Sequence, residues 1–339
     1  MTTQRAQKSE FEEVNCGLCG SRDYRVLLRV KDYERGLPGI FLIVSCRQCQ
    51  LVFLNPRPTE EGISFYYTQD EWSRAKGAVP IEAARISRRP WRETQAFRCR
   101  PILAHRQTGA ILDVGCGDGL LLKFLSEKGW ECHGIEVGSV AVEYARMQGL
   151  NVREARIEEI SFPENSFDAV SFFGVLEHLH HPLEALRKVS SFLKKEGILY
   201  LGGIPNFNSF ERRLFGKRWM SLNAPRHLYH FTPETTALLL AKSGYRVINS
   251  GLYSHEMGVV MGYTESLRHL LSDWGLYPSK EPEDLAVSFE GGKTAKTERR
   301  PSFLLDAFHH VENTFFIGLG KLADSFGKGS NFWVIAKKI

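Results

Sequence analysis

The chain has 339 residues, with 44 Lys and Arg against 39 Asp and Glu, and a formal net charge of +5. At this length, a hydrophobic fraction of 43% predicts one large or two modest domains with a well-built core. The sequence has no apolar run of the roughly 18 residues that a membrane-spanning helix requires, and its N-terminal segment lacks the apolar centre of a signal peptide. We therefore expect a cytoplasmic globular protein, and the small charge says little about anionic partners.

Four of the seven cysteines form two Cys-x-x-Cys pairs near the N-terminus. Two such pairs are typical of a tetrahedral thiolate zinc site in a reducing compartment. A redox function is the alternative, but it needs only one pair and usually places that pair at the start of a helix. We predict a structural zinc ion, closed to substrate, bound by Cys16, Cys19, Cys46 and Cys49.

Residues 111–119 read Ile-Leu-Asp-Val-Gly-Cys-Gly-Asp-Gly. An apolar strand brings Asp113 to its carboxyl end, and Gly115, Gly117 and Gly119 follow before a helical pattern. Glycine adopts positive φ and lets a ligand approach the backbone, so such a turn between strand and helix is suited to nucleotide-like ligands. The third glycine comes one residue earlier than in the dinucleotide fingerprint. The spacing therefore indicates a nucleoside ligand without a pyrophosphate group.

A second acid, Glu136, ends the next predicted strand about 20 residues past the loop, where an acid can accept both ribose hydroxyls. Further strands and helices of about ten residues then alternate, which predicts a parallel sheet covered on both faces. The predicted strands span 131–136, 151–154, 167–173 and 197–202, and the predicted helices 139–148 and 183–193.

Together with the Asp-x-Gly-x-Gly-x-Gly loop, residues 162–170 and 175–179 resemble class I S-adenosylmethionine (SAM) methyltransferases, and the resemblance runs from about 110 to 250. It implies an α/β fold: a Rossmann-like, seven-stranded, mostly parallel sheet whose strand seven is antiparallel, with a small N-terminal zinc ribbon in addition. Residues 331–338 are the predicted strand seven.

The resemblance also implies a set of cofactor-binding residues. Asp113 would receive the ammonium group of SAM and Glu136 its ribose, while Ile157 and Glu158 fall where many family members place an Asp near the adenine. The full predicted set is Asp113, Gly115, Cys116, Gly117, Gly119, Glu136, Val137, Ile157, Glu158, Phe173 and Gly174.

Residues 219–231 (WMSLNAPRHLYHF) are similar to small-molecule methyltransferases of the ubiquinone-biosynthesis and sugar-methyltransferase kind, and residues 51–67 resemble the joint between a zinc ribbon and such a domain. The ribbon is expected either to cover the active-site mouth or to contact a partner. The predicted organisation is a zinc ribbon at 1–58, a helical linker or cap at 59–105, a SAM-binding core at 106–251, an insertion with amphipathic helices at 252–330, and a closing core strand at 331–339.

Three histidines are candidate general bases, because imidazole titrates near neutral pH. His178 follows predicted strand four, and His227 and His230 lie in the loop after strand five. The alternative for each is a structural, hydrogen-bonded histidine. In ubiquinone-type enzymes a Glu-His dipeptide at the position of Glu177-His178 can help to hold a divalent ion, so metal-assisted transfer is a further alternative.

These features favour methyl transfer from SAM to an oxygen or carbon of a small molecule, such as a sugar, polyketide, quinone or lipid precursor. DNA and protein amino-methyltransferases of this fold often carry Asn/Asp-Pro-Pro-aromatic after strand four, whereas this chain has Phe-Gly-Val-Leu at 173–176, which disfavours methylation of the exocyclic amine of a base. A zinc-ribbon RNA-modifying protein and a non-catalytic SAM-binding scaffold are the alternatives. Oligomeric state and peripheral membrane contact are left open.

Two further segments allow several interpretations. Seven arginines between residues 85 and 106 are interpreted as a solvated helix face, an anionic substrate site or a nucleic-acid footprint. Within the insertion, 290–300 is polar, whereas apolar residues recur along one side of 303–322 and predict packing on the domain. A lid, a dimer contact and a lipid-facing surface are the other interpretations of that stripe.

Overall fold

A computed structural model describes residues 10–67, 88–254, 257–276 and 315–339 of the chain. The part that it describes begins with a small antiparallel sheet, followed by a large mixed sheet with helices on both faces. Within this part no helix combines the length and the apolar character that a membrane crossing requires.

The N-terminal segment contains five short strands. Two of them, β1 and β5, pair with each other, and β2, β3 and β4 form an antiparallel sheet. The strands are β1 (Phe11–Glu12), β2 (Tyr24–Val30), β3 (Phe41–Cys46), β4 (Val52–Leu54) and β5 (Arg57–Pro58). A 3-10 helix at Gly62–Tyr66 follows.

The large sheet has seven strands in the order β12-β13-β10-β9-β6-β7-β8. Its neighbours are parallel from β10 to β8, and β13 lies antiparallel between β10 and β12. This confirms the predicted fold class, including the antiparallel last strand. The strands are β6 (Ala110–Val114), β7 (Glu131–Glu136), β8 (Asn151–Glu154), β9 (Phe167–Phe173), β10 (Leu193–Pro205), β12 (Tyr245–Tyr253) and β13 (Asn331–Lys338).

Helices connect and cover these strands. Proline at the first position of α4 and α6 suits a helix start, and Thr232 and Thr235 complete a capping box at α6. The helices are α1 (Arg88–His105), α2 (Leu120–Ser126), α3 (Ser139–Met147), α4 (Pro182–Phe192), α5 (Phe210–Phe215), α6 (Pro233–Lys242), α7 (Met257–Asp273) and α8 (315–325), with 3-10 turns at Leu176–His178, Gly216–Arg218 and Met220–Leu222.

The small sheet is not confined to the N-terminal segment. Strand β11 (Tyr229–His230), which follows the large sheet's β10 in the chain, pairs antiparallel with β4 and gives the order β11-β4-β3-β2. The predicted boundary at residue 58 therefore separates sequence segments that share one hydrogen-bonded sheet. This pairing fixes the N-terminal strands against the loop that carries two of the candidate histidines.

The apolar side predicted for residues 303–322 is only partly buried where the structure describes it. Phe316 is buried and stacks on Tyr263 of α7 at 5.2 Å between ring centroids, whereas the side chains of Phe315 and Leu322 are mostly exposed. Part of α8 therefore packs on the domain, as the periodicity predicts. The polar segment 290–300 and the first half of the stripe lie outside the described residues.

Candidate active site

The loop after β6 has the backbone conformation that its glycines predict. Gly115, Gly117 and Gly119 have φ of +68°, +55° and +75°. A Cβ on Gly115 would lie 2.5 Å from Val175, and one on Gly119 would lie 2.5 Å from Leu150. Both strain and contact therefore exclude larger residues at these two positions, and the loop remains tightly folded above the sheet.

Glu136 ties the glycine loop to the turn after β7. Its Oε2 accepts a hydrogen bond from the backbone N–H of Gly117 at 2.9 Å, while Oε1 accepts from the N–H groups of Val137 and Gly138 at 2.8 Å each. The carboxylate is 6% exposed. A carboxylate has about four acceptor positions, so this one can still accept hydrogen bonds from a ligand above the loop.

Asp113 lies beneath the loop at the end of β6. Its Oδ1 accepts a hydrogen bond from the Ser171 hydroxyl of neighbouring β9 at 2.6 Å. Burial, assisted by the charge of Glu136, raises the pKa of Asp113 to about 7, although the Ser171 hydrogen bond opposes this. A cation brought to this carboxyl group would favour its ionised form.

The other predicted cofactor residues follow the carboxyl ends of four adjacent strands. Because β8, β7, β6 and β9 are neighbours, the topology brings the residues that follow them to one edge, where open α/β sheets bind ligands. Ile157 is buried, whereas Glu158 and Val137 are exposed, and Gly174 (φ +65°) borders open space.

An arginine of the predicted cluster reaches this edge. The guanidinium carbon of Arg98 lies 4.6 Å from the centroid of the Phe173 ring, and its charge opposes the burial that raises the pKa of Asp118 in the loop. Elsewhere in the cluster, Arg92 pairs with the carboxylate of Glu127 on the protein surface. The sequence did not separate Arg98 from its neighbours, because position along α1 does not reveal which side chain faces the loop.

The three candidate histidines form a row near this edge. The ring centroids of His178 and His227 are 4.5 Å apart, and those of His227 and His230 are 6.4 Å apart. Burial lowers the pKa of His178 to about 4 and that of His230 to about 3, and it lowers the pKa of His227 well below its usual value. All three rings are therefore neutral at pH 7 and can accept a proton.

Hydrogen bonds orient two of these rings. Nδ1 of His227 lies 2.8 Å from the carbonyl oxygen of Ser221, and Nδ1 of His178 lies 3.1 Å from that of Arg226. A carbonyl oxygen can only accept, so both Nδ1 atoms carry hydrogen and both Nε2 atoms carry a lone pair. Nδ1 of His178 also lies 2.7 Å from the hydroxyl of Tyr67, which can accept from the same N–H.

Glu177 is an acidic group that the sequence suggested only as part of a dipeptide. Its side chain is buried, Oε2 has no hydrogen-bond partner in the described structure, and burial raises its pKa to about 8. Potential ligand atoms of Glu177, His178 and His227 lie within 4.8 Å of one another. The group has the donor types of a divalent-cation site, as well as those of a proton acceptor.

Residues of the N-terminal segment contact the two loops that carry the histidines. Tyr67 contacts His178, and a buried arginine, Arg57, donates to the carbonyl oxygen of His180 at 2.8 Å. A Cβ on Gly17, in the first cysteine turn, would lie 2.5 Å from the Tyr229 hydroxyl. Sequence spacing carries no signal for these contacts.

The four paired cysteines converge. Sγ of Cys16 lies 3.4 Å from that of Cys49, Sγ of Cys19 lies 3.5 Å from that of Cys46, and all four sulfurs lie within 4.8 Å of one another. A zinc ion with thiolates at about 2.3 Å would separate them by about 3.8 Å, so the donor set and its dimensions fit zinc.

Comparisons with known proteins agree with this architecture. Residues 87–250 match the family model Methyltransf_23, described as a methyltransferase domain. The ubiquinone biosynthesis O-methyltransferase of Xanthomonas campestris pv. campestris (strain B100) is 30% identical over 129 residues, which are 36% of this chain and 54% of that protein. The enzyme of the same name from Alkalilimnicola ehrlichii is 35% identical over 94 residues, 26% of this chain and 38% of that protein.

The chain thus spans about half the length, or less, of these curated relatives. Among solved structures, a SAM-dependent methyltransferase from Archaeoglobus fulgidus aligns with a TM-score of 0.46 at 20% identity, covering 73% of this chain and 94% of that one. The strand order, the glycine loop and the match over residues 87–250 are those expected of a class I SAM-dependent methyltransferase domain. The matched segment covers slightly less than half of the chain.

Proposed function

We propose that the protein transfers a methyl group from SAM to an oxygen or carbon atom of a small molecule. The observation that carries this proposal is the pair of buried carboxylates, Asp113 and Glu136, which end adjacent strands on either side of the glycine loop. SAM combines a cationic methionine part with a ribose diol, and these two acids suit those two groups. When bound, SAM supplies a methyl group that is already electrophilic.

In the proposed complex, Asp113 receives the ammonium group and Glu136 accepts from the ribose hydroxyls. The glycine loop leaves the backbone open to the cofactor, with Cys116 and Val137 beside it. Ile157 and Glu158 flank the adenine, and the turn at 173–174 faces the methionine part. Arg98, close to Phe173, adds a positive charge that suits the methionine carboxylate.

The histidine row supplies the proposed proton acceptor. An Nε2 lone pair on His178 or His227 can take the proton of a hydroxyl group or an activated carbon, and neutral His230 extends the same wall. The buried surroundings also exclude water, which favours alignment of the acceptor with the methyl group. In the metal-assisted alternative, Glu177, His178 and His227 hold a divalent cation that polarises the acceptor oxygen.

We further propose that Cys16, Cys19, Cys46 and Cys49 bind one structural zinc ion. A four-sulfur site is closed, so its contribution is to hold the two cysteine turns together. Since β4 pairs with β11, that contribution extends to the loop carrying His227 and His230.

The proposed class of methyl acceptor is more specific than the match to a methyltransferase domain, and it rests on the sequence of the loop at 219–231. The two curated relatives are named for ubiquinone biosynthesis, which agrees with a quinone precursor but also leaves sugar, polyketide and lipid precursors. The test is calorimetric titration of the full chain with S-adenosylhomocysteine (SAH), followed by a screen of small molecules with methyl-labelled SAM.

A variant pair tests the histidine within that screen. His227→Ala should lower turnover by about 100-fold, a typical general-base contribution, and should leave SAH affinity unchanged. His181→Ala is the control, because that histidine is about half exposed and pairs with surface Glu60. Normal turnover by His227→Ala would reject the assignment of His227 as a proton acceptor. Recovery of activity in chelator-treated protein only after addition of Mg²⁺ or Mn²⁺ would favour the metal-assisted alternative.

The alternatives to a small-molecule enzyme have distinct outcomes. A scaffold that has lost the site would bind neither SAM nor SAH. An RNA-modifying protein would bind RNA with an affinity that falls steeply with salt concentration, and the absence of RNA binding at low salt would remove that alternative.

A further inference from the structure

Arg212, in helix α5, has no counterion among the residues that the structure describes. Its backbone N–H is capped by the hydroxyl of Ser209 at 3.1 Å, and its guanidinium carbon lies 4.4 Å from the ring centroid of Phe207. Across the described residues it forms no salt bridge, and its Nε is buried without a hydrogen-bond partner. Burial lowers the pKa of Arg212, and the charge of neighbouring Arg213 lowers it further.

Three other partly or fully buried arginines have carboxylate partners. Arg218 donates to Asp273 at 2.8 Å, Arg57 to Glu12 at 2.8 Å, and Arg226 to Asp32 at 2.6 Å. The buried Nε of Arg212 loses hydration and gains no hydrogen bond from the described residues. The half-buried guanidinium therefore remains available to an anionic partner from outside the described residues.

The position of Arg212 connects it to the proposed acceptor site. The Phe207 ring that it covers lies 5.8 Å from the ring of His230 and 6.4 Å from that of Trp219. The charge of Arg212 contributes to the lowered pKa of His230, whose Nε2 is also buried and unpartnered. Arg212 thus lies close to His230, with the Phe207 ring in contact with both.

The charge of Arg212 favours an anion beside Phe207 and His230, because no carboxylate of the described residues pairs with it. Arg212 contributes a full positive charge there. Its planar fork of N–H donors matches two oxygens of a phosphate or a carboxylate.

We propose that the methyl acceptor carries an anionic oxygen group, phosphate or carboxylate, that Arg212 binds while the reacting atom faces the His178–His227 end of the row. The proposal rests on the methyltransferase function proposed above and narrows its substrate class to acidic small molecules. It assigns Arg212 a binding role and no step in the transfer itself.

The test uses the full chain saturated with SAH and two probes, inorganic pyrophosphate and benzoate, followed by ³¹P line broadening and by saturation-transfer NMR. Arg212→Gln should weaken binding of the recognised probe by at least about tenfold, as expected for loss of a charged hydrogen bond. Arg213→Gln is the matched control, since its side chain is exposed on the same helix and should leave binding unchanged. Preference for pyrophosphate assigns a phosphorylated acceptor, and preference for benzoate assigns a carboxylate.

Equal binding of both probes by wild type and Arg212→Gln would overturn the proposal, as would the absence of binding to wild type at millimolar concentration. If Arg212→Gln does not fold, Arg212→Lys keeps the charge without the fork and should still weaken binding; unchanged binding would contradict us. Failure of SAH to bind wild type would instead contradict the proposed methyltransferase function, so the two failures are distinguishable.

Discussion

Asp32 and Arg226 form a buried ion pair that joins the N-terminal strands to the histidine loop. Nη2 of Arg226 donates to Oδ1 of Asp32 at 2.6 Å and Nη1 donates to Oδ2 at 3.2 Å, with both side chains at most 2% exposed. Arg226 immediately precedes His227, and its carbonyl oxygen contacts Nδ1 of His178. The ion pair therefore holds the backbone that orients both rings.

Removing Asp32 should destabilise the protein strongly. Asp32→Ala leaves the buried Arg226 guanidinium with only the half-exposed carboxylate of Glu34, 3.4 Å from Nη2, and removes the acceptor for the N–H groups of Glu34 and Arg35. We expect a loss of about 3–5 kcal/mol in the free energy of unfolding, measured by urea denaturation. Asp23→Ala, which breaks the exposed pair with Arg47, is the control and should cost less than about 1 kcal/mol. Similar losses in the two variants would show that the buried pair has no special importance.

The glycine loop should tolerate no side chain at Gly115. Gly115→Ala combines positive φ with a contact to Val175, so the loop must shift and SAH affinity should fall by at least about tenfold, or 1.4 kcal/mol. Gly129→Ala is the control, because Gly129 also has positive φ (+85°) but borders open space. Calorimetry with SAH on both variants separates the effect of backbone strain from that of loop displacement. Unchanged SAH affinity in Gly115→Ala would contradict the assignment of this loop to cofactor binding.

Cofactor affinity should depend on pH through Asp113. Its pKa in the free protein is raised to about 7, and an ammonium group binds the ionised carboxylate, so SAH affinity should fall as pH decreases below about 7. Well below that value the affinity should change by about tenfold per pH unit. Calorimetry from about pH 6 to 8 measures this, and Asp113→Asn should bind weakly with a flat profile. A profile of the same slope in Asp113→Asn would assign the dependence to another group.

The raised pKa of Asp113 also makes the stability of the cofactor-free protein depend on pH. Stability should fall as pH rises, whereas SAH affinity should increase. The folded-state pKa of Asp113 lies above its ordinary value of 3.8, so its contribution to stability is full below about pH 4 and is lost as pH rises to about 7. Asp113→Asn should therefore flatten the stability of the cofactor-free protein over this interval, as measured by urea denaturation at several pH values. If the free energy of unfolding of Asp113→Asn depends on pH as steeply as that of the wild type, burial of Asp113 is not the cause of that dependence.

Zinc removal should affect both the ribbon and the histidine loop. We expect about one equivalent of zinc in the purified chain, and Cys46→Ser should lower it, whereas Cys132→Ser, which lies outside the cluster, should not. Because β4 pairs with β11, Cys46→Ser should also reduce methyl transfer while SAH still binds the core. If elemental analysis finds less than about half an equivalent of zinc in the wild-type protein and the paired thiols titrate freely, the zinc assignment is rejected.

Much of the core was predictable because its signals are local. Strands β7, β8, β9 and β13 have the predicted bounds. Strands β9 and β13 are rich in apolar residues, whereas β7 and β8 are mostly polar and were indicated by their place in the strand–helix alternation. The glycine spacing indicated the loop, and the alternation of strands and helices indicated a parallel sheet. The Cys-x-x-Cys pairs similarly predicted four sulfurs that the fold brings together.

Other parts of the site had no local signal. Tyr67 contacts His178 across 111 residues of sequence, and Asp32 pairs with Arg226 across 194. Neither pair shares a motif or a periodicity, and an arginine's need for a partner does not say which acid provides it. The position of Arg212 over Phe207 likewise follows from the path of the chain after β10.

By itself the sequence determined the fold class, the cofactor loop and the cysteine cluster, because turn chemistry, hydrophobic period and ligand spacing act over a few neighbouring residues. Only the tertiary structure decided how the N-terminal strands meet the histidine row, which acids pair with Arg226 and which arginine has no carboxylate partner among the described residues. Those outcomes depend on burial and on pairing between distant segments, and a charge acquires its partner, or lacks one, only when the chain has folded around it.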